Sequence, residues 1–266
     1  MRIAVIGGGR IGEALLAGLL ESGRASKDLV VVEMMPARAE FLRERLGIRV
    51  TDSVADAAGC ADLVVVAVKP GDVDAVLTEV SKAGLDDRTR VLVSLAAGVT
   101  TARLEAKLPA GFPVVRVMPN TPMLVGQGMS AIAPGAHADA AQLEQVSQML
   151  AAVGKVVTVA ETQMDAVTAV SGSGPAYFFL VVEAMVEAGV GLGLSREVAT
   201  QLVVQTMLGS AALLEESGQD AAELRAAVTS PAGTTAAAVR ELERCGVRSA
   251  FIEGLHAARE RSAELA

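Results

Sequence analysis

The sequence predicts an α/β protein: an amino-terminal, doubly wound, mostly parallel sheet followed by an all-helical part. Three observations carry this prediction. Short runs rich in β-branched residues alternate with helical-periodic segments as far as about residue 160. Beyond it strand signals disappear, and alanine-rich helical segments continue to the end of the 266-residue chain. The first strand–helix junction, Gly7-Gly8-Gly9-Arg10-Ile11-Gly12, has the G-x-G-x-x-G spacing of a dinucleotide-binding turn. The expected organisation is a dinucleotide-binding, Rossmann-type domain over 1–160 and a helical domain over 161–266.

Arg2 to Ile6 is the first strand, and the helical periodicity of Glu13 to Leu20 follows the glycines. Gly7 allows the tight turn, Gly9 lets a pyrophosphate approach the backbone, and Gly12 lets helix and strand pack closely. A second strand, Leu29 to Val32, ends at Glu33, about twenty residues past the last glycine. That acid suits the adenosine ribose hydroxyls and would repel a 2′-phosphate. Arg38 would offset the repulsion if its loop folds back, so the choice between NAD and NADP stays open at this point. Further strands are expected at Val50 and its neighbours, Leu63–Val68, Val91–Ser94, Val114–Met118, Met129–Ala133 and Lys155–Val159, the last two as antiparallel additions. Helices are expected between them at Arg38–Leu46, Val73–Ala83, Thr101–Lys107 and Ala140–Ala152.

The later helices are expected at 162–170, 175–188, 196–216, 220–229, 234–244 and 247–264, with Ser195 and Asp220 as N-caps. The 175–188 segment is apolar nearly all round and must be covered on every side, which predicts burial against a second subunit. Glu183 and Glu187 interrupt the longest apolar stretch, Tyr177 to Leu194, which reads as a buried helix, too polar for a bilayer.

Composition narrows the function. The chain is 52% hydrophobic and 20% charged, enough for a substantial core and too apolar for disorder. It has no Trp and one Tyr, so base-stacking platforms are lacking, and its net charge of −8 also argues against a nucleic-acid partner. Cys60 and Cys245 read as reduced core thiols of a cytoplasmic protein. His137 and His256 lack metal-ligand spacing, so no metal is expected. With a strand starting at residue 2, no signal peptide is expected.

Three strand ends carry residues suited to ligands, which gather outside the carboxyl ends of such sheets. Ala67-Val68-Lys69-Pro70 places a lysine within reach of a ribose or phosphate. Ser94-Leu95-Ala96-Ala97-Gly98 offers small residues that leave room for a flat ring. In Met118-Pro119-Asn120-Thr121-Pro122 two prolines stiffen the loop around Asn120, whose amide suits a nicotinamide or a substrate. Ser171-Gly172-Ser173-Gly174-Pro175 opens the helical part, either as a hinge or as a close-packed turn, with Pro175 in the first turn of a helix.

The most informative run is Val228-Thr229-Ser230-Pro231-Ala232-Gly233-Thr234-Thr235, ahead of a helix. Its free N–H groups and hydroxyls read either as a cradle for a small carboxylate or as an ordinary capped turn between two helices, and the dinucleotide fingerprint at the other end of the chain favours the cradle. No lysine follows Lys155, so the helical half offers no lysine acid/base. An alcohol substrate would demand a strong proton donor or acceptor. A protonated imine accepts hydride without one, needing only to be oriented. Thr235 is placed to hydrogen-bond such a ring nitrogen.

On these motifs the chain resembles the pyrroline-5-carboxylate reductase family over nearly its whole length. The resemblance rests on Ile6-Gly7-Gly8-Gly9, Ala67-Val68-Lys69-Pro70, Met118-Pro119-Asn120-Thr121-Pro122, Ser171 to Tyr177 and, above all, Thr229 to Thr235. It implies reduction of 1-pyrroline-5-carboxylate to L-proline by NADPH or NADH, and an intertwined homodimer, often stacked into larger rings. By matching position it implies Ser230, Gly233 and Thr234 on the substrate carboxylate and Thr235 at the ring nitrogen. It likewise implies Ile6, Gly7, Gly8, Gly9, Arg10, Ile11, Ala67, Val68, Lys69, Pro70, Leu95, Ala96 and Ala97 along the cofactor. Two positions depart from the family. Ala232 stands where glycine is common, harmless only if its φ is negative. Glu33 stands where many members carry a Ser and Arg pattern for the 2′-phosphate. A β-hydroxyacid dehydrogenase is the nearest alternative, but its catalytic lysine has no counterpart in Pro175–Ala188. A non-catalytic NADP-binding protein is the other alternative.

Overall fold

The computed structural model describes residues 1–83 and 89–264, and the chain forms two compact units, Met1–Ser173 with Ala258–Ala266, and Gly174–Ala257. The first unit is built on eight strands: β1 Ile3–Ile6, β2 Leu29–Val32, β3 Arg49–Thr51, β4 Leu63–Val66, β5 Val91–Ser94, β6 Val114–Met118, β7 Gly128–Pro134 and β8 Gly154–Thr158. They form one sheet in the order β3-β2-β1-β4-β5-β6-β7-β8. The first six run parallel, β7 is antiparallel to β6, and β8 is parallel to β7. Both closing strands therefore oppose the first six while pairing parallel with each other. Connection length explains this. The link 119–127 is too short for a crossover, whereas 135–153 contains a helix and can make one.

The helices of this unit are α1 Arg10–Glu21, α2 Pro36–Leu46, α3 Val54–Ala58, α4 Val73–Ser81, α5 Thr101–Glu105, α6 Ala140–Leu150 and α7 Met164–Val167. Strands β1, β2, β4 and β5 are buried along their whole length, which is why they read as continuous apolar runs. Ile3 and Val5 face one core, with Leu15, Leu16 and Leu19 of α1 and Val146, Met149 and Leu150 of α6. Ala4 and Ile6 face the other, with Leu77 and Val80 of α4 and Leu104 of α5.

The expected helix at 162–170 is instead the short α7 running into a π-helical turn, Thr168–Gly172. Met164 of α7 packs with Ala131 and Ala133 of β7. Just before it, Glu161 accepts a 2.8 Å bond from Arg116 Nη1 and a 3.2 Å bond from the Thr101 N–H. Arg116 is 3% exposed on its side chain, and its Nη2 has no partner.

The second unit contains α8 Gly174–Gly191, α9 Arg196–Ser217, α10 Ala221–Ala227, α11 Thr234–Arg244 and most of α12 Val247–Glu264. Both predicted N-caps form: Ser195 Oγ accepts from Val198 N–H, and Asp220 and Glu223 make a capping box. Helices α8 and α9 form a hairpin pinned by Arg196 on Glu187 at 2.7 Å, a bond that holds the Glu187 carboxyl below its ordinary pKa.

Within the chain α8 is largely exposed: Phe178, Phe179 and Leu180 are each more than 60% exposed, and only Gly174 and Val186 are buried, so the cover expected from a second subunit is not supplied by this chain. By length and composition Glu161–Gly191 and Arg196–Ser217 could each cross a membrane, so Glu183 and Glu187 alone do not exclude one. The cysteines are free but not core thiols, because both Cys60 and Cys245 are exposed. Cys60 lies between α3 and β4 and Cys245 caps α11, so apolar neighbours in sequence are not neighbours in space.

Candidate functional site

The first unit brings the glycine turn to the carboxyl end of β1, where the strand order reverses between β1 and β4. Gly7 takes φ +110°, and its N–H donates to the Val32 carbonyl at 3.0 Å. A Cβ at Gly7 would lie 2.6 Å from the Ala67 carbonyl oxygen and 3.0 Å from Val68, so the segment just past β4 closes directly over the turn. At Gly12 it would overlap the Gly7 carbonyl, as close helix–strand packing requires. Gly9 differs, because a Cβ there would meet nothing within 4 Å. It is the N-cap of α1 and no side chain caps that helix. The first N–H groups of α1 therefore face open space, which fits the pyrophosphate of a nicotinamide dinucleotide.

Ile6 is buried beneath the turn, while Arg10 is exposed and Ile11 half-buried at the start of α1. Beyond β4, Ala67 and Val68 are half-buried, and Lys69 and Pro70 are exposed. Beyond β5, Leu95 and Ala96 are buried and Ala97 is half-buried, so Leu95 and Ala96 offer a ligand mainly backbone. The protein itself engages Asn120 at both ends of its amide. Its Oδ1 accepts from Met129 N–H at 2.8 Å, and its Nδ2 donates to the Ser171 carbonyl and hydroxyl at 3.3 Å each. Asn120 thus ties the β6 loop to the π-helical turn, whose Gly172 packs against the terminal methyl of Met118. Glu33 and Arg38 both turn toward the glycines: Arg38 Nε donates to the Gly8 carbonyl at 2.7 Å. Sequence reasoning gave no sign of the Asn120–Ser171 and Arg116–Glu161 links, whose partners lie far apart in the chain.

In the second unit, Gly233 is the N-cap of α11, and its N–H closes a turn on the Ser230 carbonyl at 3.0 Å. No side chain caps α11, so its first N–H groups are open beside the hydroxyls of Thr234 and Thr235. A Cβ at Gly233 would lie 2.7 Å from Ser230 Oγ, so only glycine leaves that hydroxyl in place. Thr235 is half-buried, and Ser230 and Thr234 are exposed. Ala232 does not keep a negative φ. At +57° it is the only non-glycine residue with positive φ among those described. That conformation costs a residue with a Cβ roughly 1 kcal/mol. Ala232→Gly is accordingly expected to raise stability by about 1 kcal/mol in thermal or urea unfolding. A lower midpoint would refute the strain.

A Rossmann-type sheet with an open glycine turn where its strand order reverses has the form of a dinucleotide-dependent oxidoreductase. The family model described as pyrroline-5-carboxylate reductase dimerisation matches residues 161–265, and that described as NADP oxidoreductase coenzyme F420-dependent matches residues 2–98. The chain is 56% identical to the pyrroline-5-carboxylate reductase of Mycobacterium tuberculosis, over 99% of this chain and 96% of that protein. A pyrroline-5-carboxylate reductase structure from Coxiella burnetii matches at TM-score 0.95 and 37% identity, covering 100% of this chain and 98% of that one. The Plasmodium falciparum enzyme, solved with NADP bound, matches at TM-score 0.88 and 28% identity, covering 100% and 98%. The chain belongs to the pyrroline-5-carboxylate reductase family. Its exposed apolar helices lie within the matched dimerisation segment.

Proposed function

We propose that this protein reduces the C=N bond of 1-pyrroline-5-carboxylate to give L-proline, the last step of proline biosynthesis, in the cytoplasm. The observation that carries this reading is kinship along the whole chain, at 56% identity, with an enzyme of that name. The glycine turn and the β4, β5 and β6 loops hold a nicotinamide dinucleotide, which when bound supplies the hydride. At the start of α11, the Ser230 hydroxyl and the N–H groups of Thr234 and Thr235 hold the substrate carboxylate, and Gly233 keeps the approach clear. The helix-end partial charge favours the acid. The Thr235 hydroxyl hydrogen-bonds the ring nitrogen and orients the imine, so no strong acid is needed. Asn120 positions the turn at Ser171 through its own hydrogen bonds. Helices α8 and α9 cover their apolar faces in an intertwined homodimer, which larger rings can stack.

NADH or NADPH is expected to be oxidised when 1-pyrroline-5-carboxylate is added, and no turnover with either would refute the activity. Thr235→Ala is expected to lower kcat/KM by about tenfold or more, the scale of one hydrogen bond at the reacting nitrogen. Thr235→Ser should retain most of the rate. Unchanged kinetics in the alanine variant would remove Thr235 from the chemistry.

A further inference from the structure

The adenosine ribose of a dinucleotide lies at the carboxyl end of β2 in a sheet of this order. Glu33 is the first residue past that end. Its own N–H donates to the Thr51 carbonyl at 3.0 Å, and its Oε1 accepts from Met35 N–H at 2.8 Å. The main chain of Glu33 is therefore anchored on β3, and one oxygen of its carboxylate is held by backbone. Its other oxygen, Oε2, points at the glycine turn, 2.8 Å from where a Cβ on Gly8 would stand. A carboxylate held there accepts strong, charge-assisted bonds from ribose hydroxyls.

A 2′-phosphate at the same place would need a cation, and each arginine of α2 that could serve has an acidic partner of its own, Arg43 and Arg45 at exposed positions. Arg38 donates to the Gly8 carbonyl, pairs with Glu13, and stacks over Phe41 with 5.0 Å to the ring centroid. Arg43 pairs with Glu40, and Arg45 with Glu13 at 3.1 Å. Glu33 and a second acid, Asp52, line a cavity of about 390 Å³ together with Arg43, whose guanidinium is paired with Glu40. The Plasmodium falciparum relative was solved with NADP bound, so the fold does not by itself exclude a 2′-phosphate.

We infer that this protein selects NADH over NADPH, and that Glu33 sets the choice by excluding the 2′-phosphate. The inference rests on the dinucleotide-dependent reading above and deepens it. Two negative groups within a few ångström repel one another, whereas the hydroxyl of NADH is welcomed.

The test is direct binding of NADH and of NADPH to the full-length protein without substrate, by nicotinamide fluorescence or calorimetry. The wild type is expected to bind NADH at least about tenfold more tightly, a difference of about 1.4 kcal/mol. Glu33→Gln keeps an acceptor for the Met35 N–H and loses only the charge. It is expected to tighten NADPH binding and shrink the preference at least about threefold, with added salt shrinking the wild-type preference as well. Equal or tighter NADPH binding by the wild type, or an unchanged preference in Glu33→Gln, overturns the inference. Selective NADH binding without turnover of the imine would instead refute the reaction and leave this assignment standing.

Discussion

Gly12→Ala is expected to cost the protein roughly 3 kcal/mol and to abolish dinucleotide binding, the upper end for a methyl forced into a packed interior. The added carbon falls within the radius of the Gly7 carbonyl oxygen and 3.2 Å from Val5 Cγ1. Neither neighbour can give way. The Gly7 carbonyl belongs to a turn bonded to β2, and Val5 is fully buried in β1. Relief therefore means lifting α1 off the sheet, which also moves the N–H groups that would hold a pyrophosphate. Gly9→Ala is the matched control. Space is open there and φ is −67°, so folding should be unaffected while a methyl intrudes on the ligand. Urea unfolding and dinucleotide titration of both variants check the pair. Wild-type stability in Gly12→Ala would show that α1 does not bear on the turn.

The second large effect is expected at Glu161. Replacing it with alanine leaves Arg116 buried without its counter-charge and frees the Thr101 N–H. Breaking a fully buried pair costs about 3–5 kcal/mol, and the partial exposure of Glu161 brings the expectation to roughly 2 kcal/mol. Removing both charges together, as Arg116→Met with Glu161→Leu, should recover most of that loss, since an apolar pair needs no compensation. A double-mutant cycle by urea unfolding measures this. If Glu161→Ala alone is silent, the guanidinium is not held by that carboxylate.

The strands β5 and β6 and the helices α11 and α12 stand at the residues their patterns predict, because each is bounded by unambiguous punctuation. Pro113 precedes β6, and Cys245-Gly246 separates α11 from α12. Helix α3 was not legible, since five residues give no helical period and only the Ser53 cap announces it. The π-helical turn at 168–172 was hidden for a related reason: apolar spacing does not distinguish one wide turn from a regular one. At the site, the glycine spacing gave the turn and the hydroxyl run gave the start of α11, because both depend on neighbouring residues. Ala232 shows the limit of that reading. Its left-handed backbone is imposed by the Ser230–Gly233 turn, and no local preference of alanine signals it. The fate of Arg38 was conditional on the path of the loop, and only the fold resolves it in favour of the Gly8 carbonyl.

The long helices α8 and α9 bury almost nothing within one chain. If self-association covers these helices as proposed, each tenfold dilution of the polypeptide subtracts about 1.4 kcal/mol from what holds them together, and abundance in the cell then becomes part of what keeps this fold intact. A newly made copy is at its most vulnerable to aggregation and proteolysis before it meets its first companion.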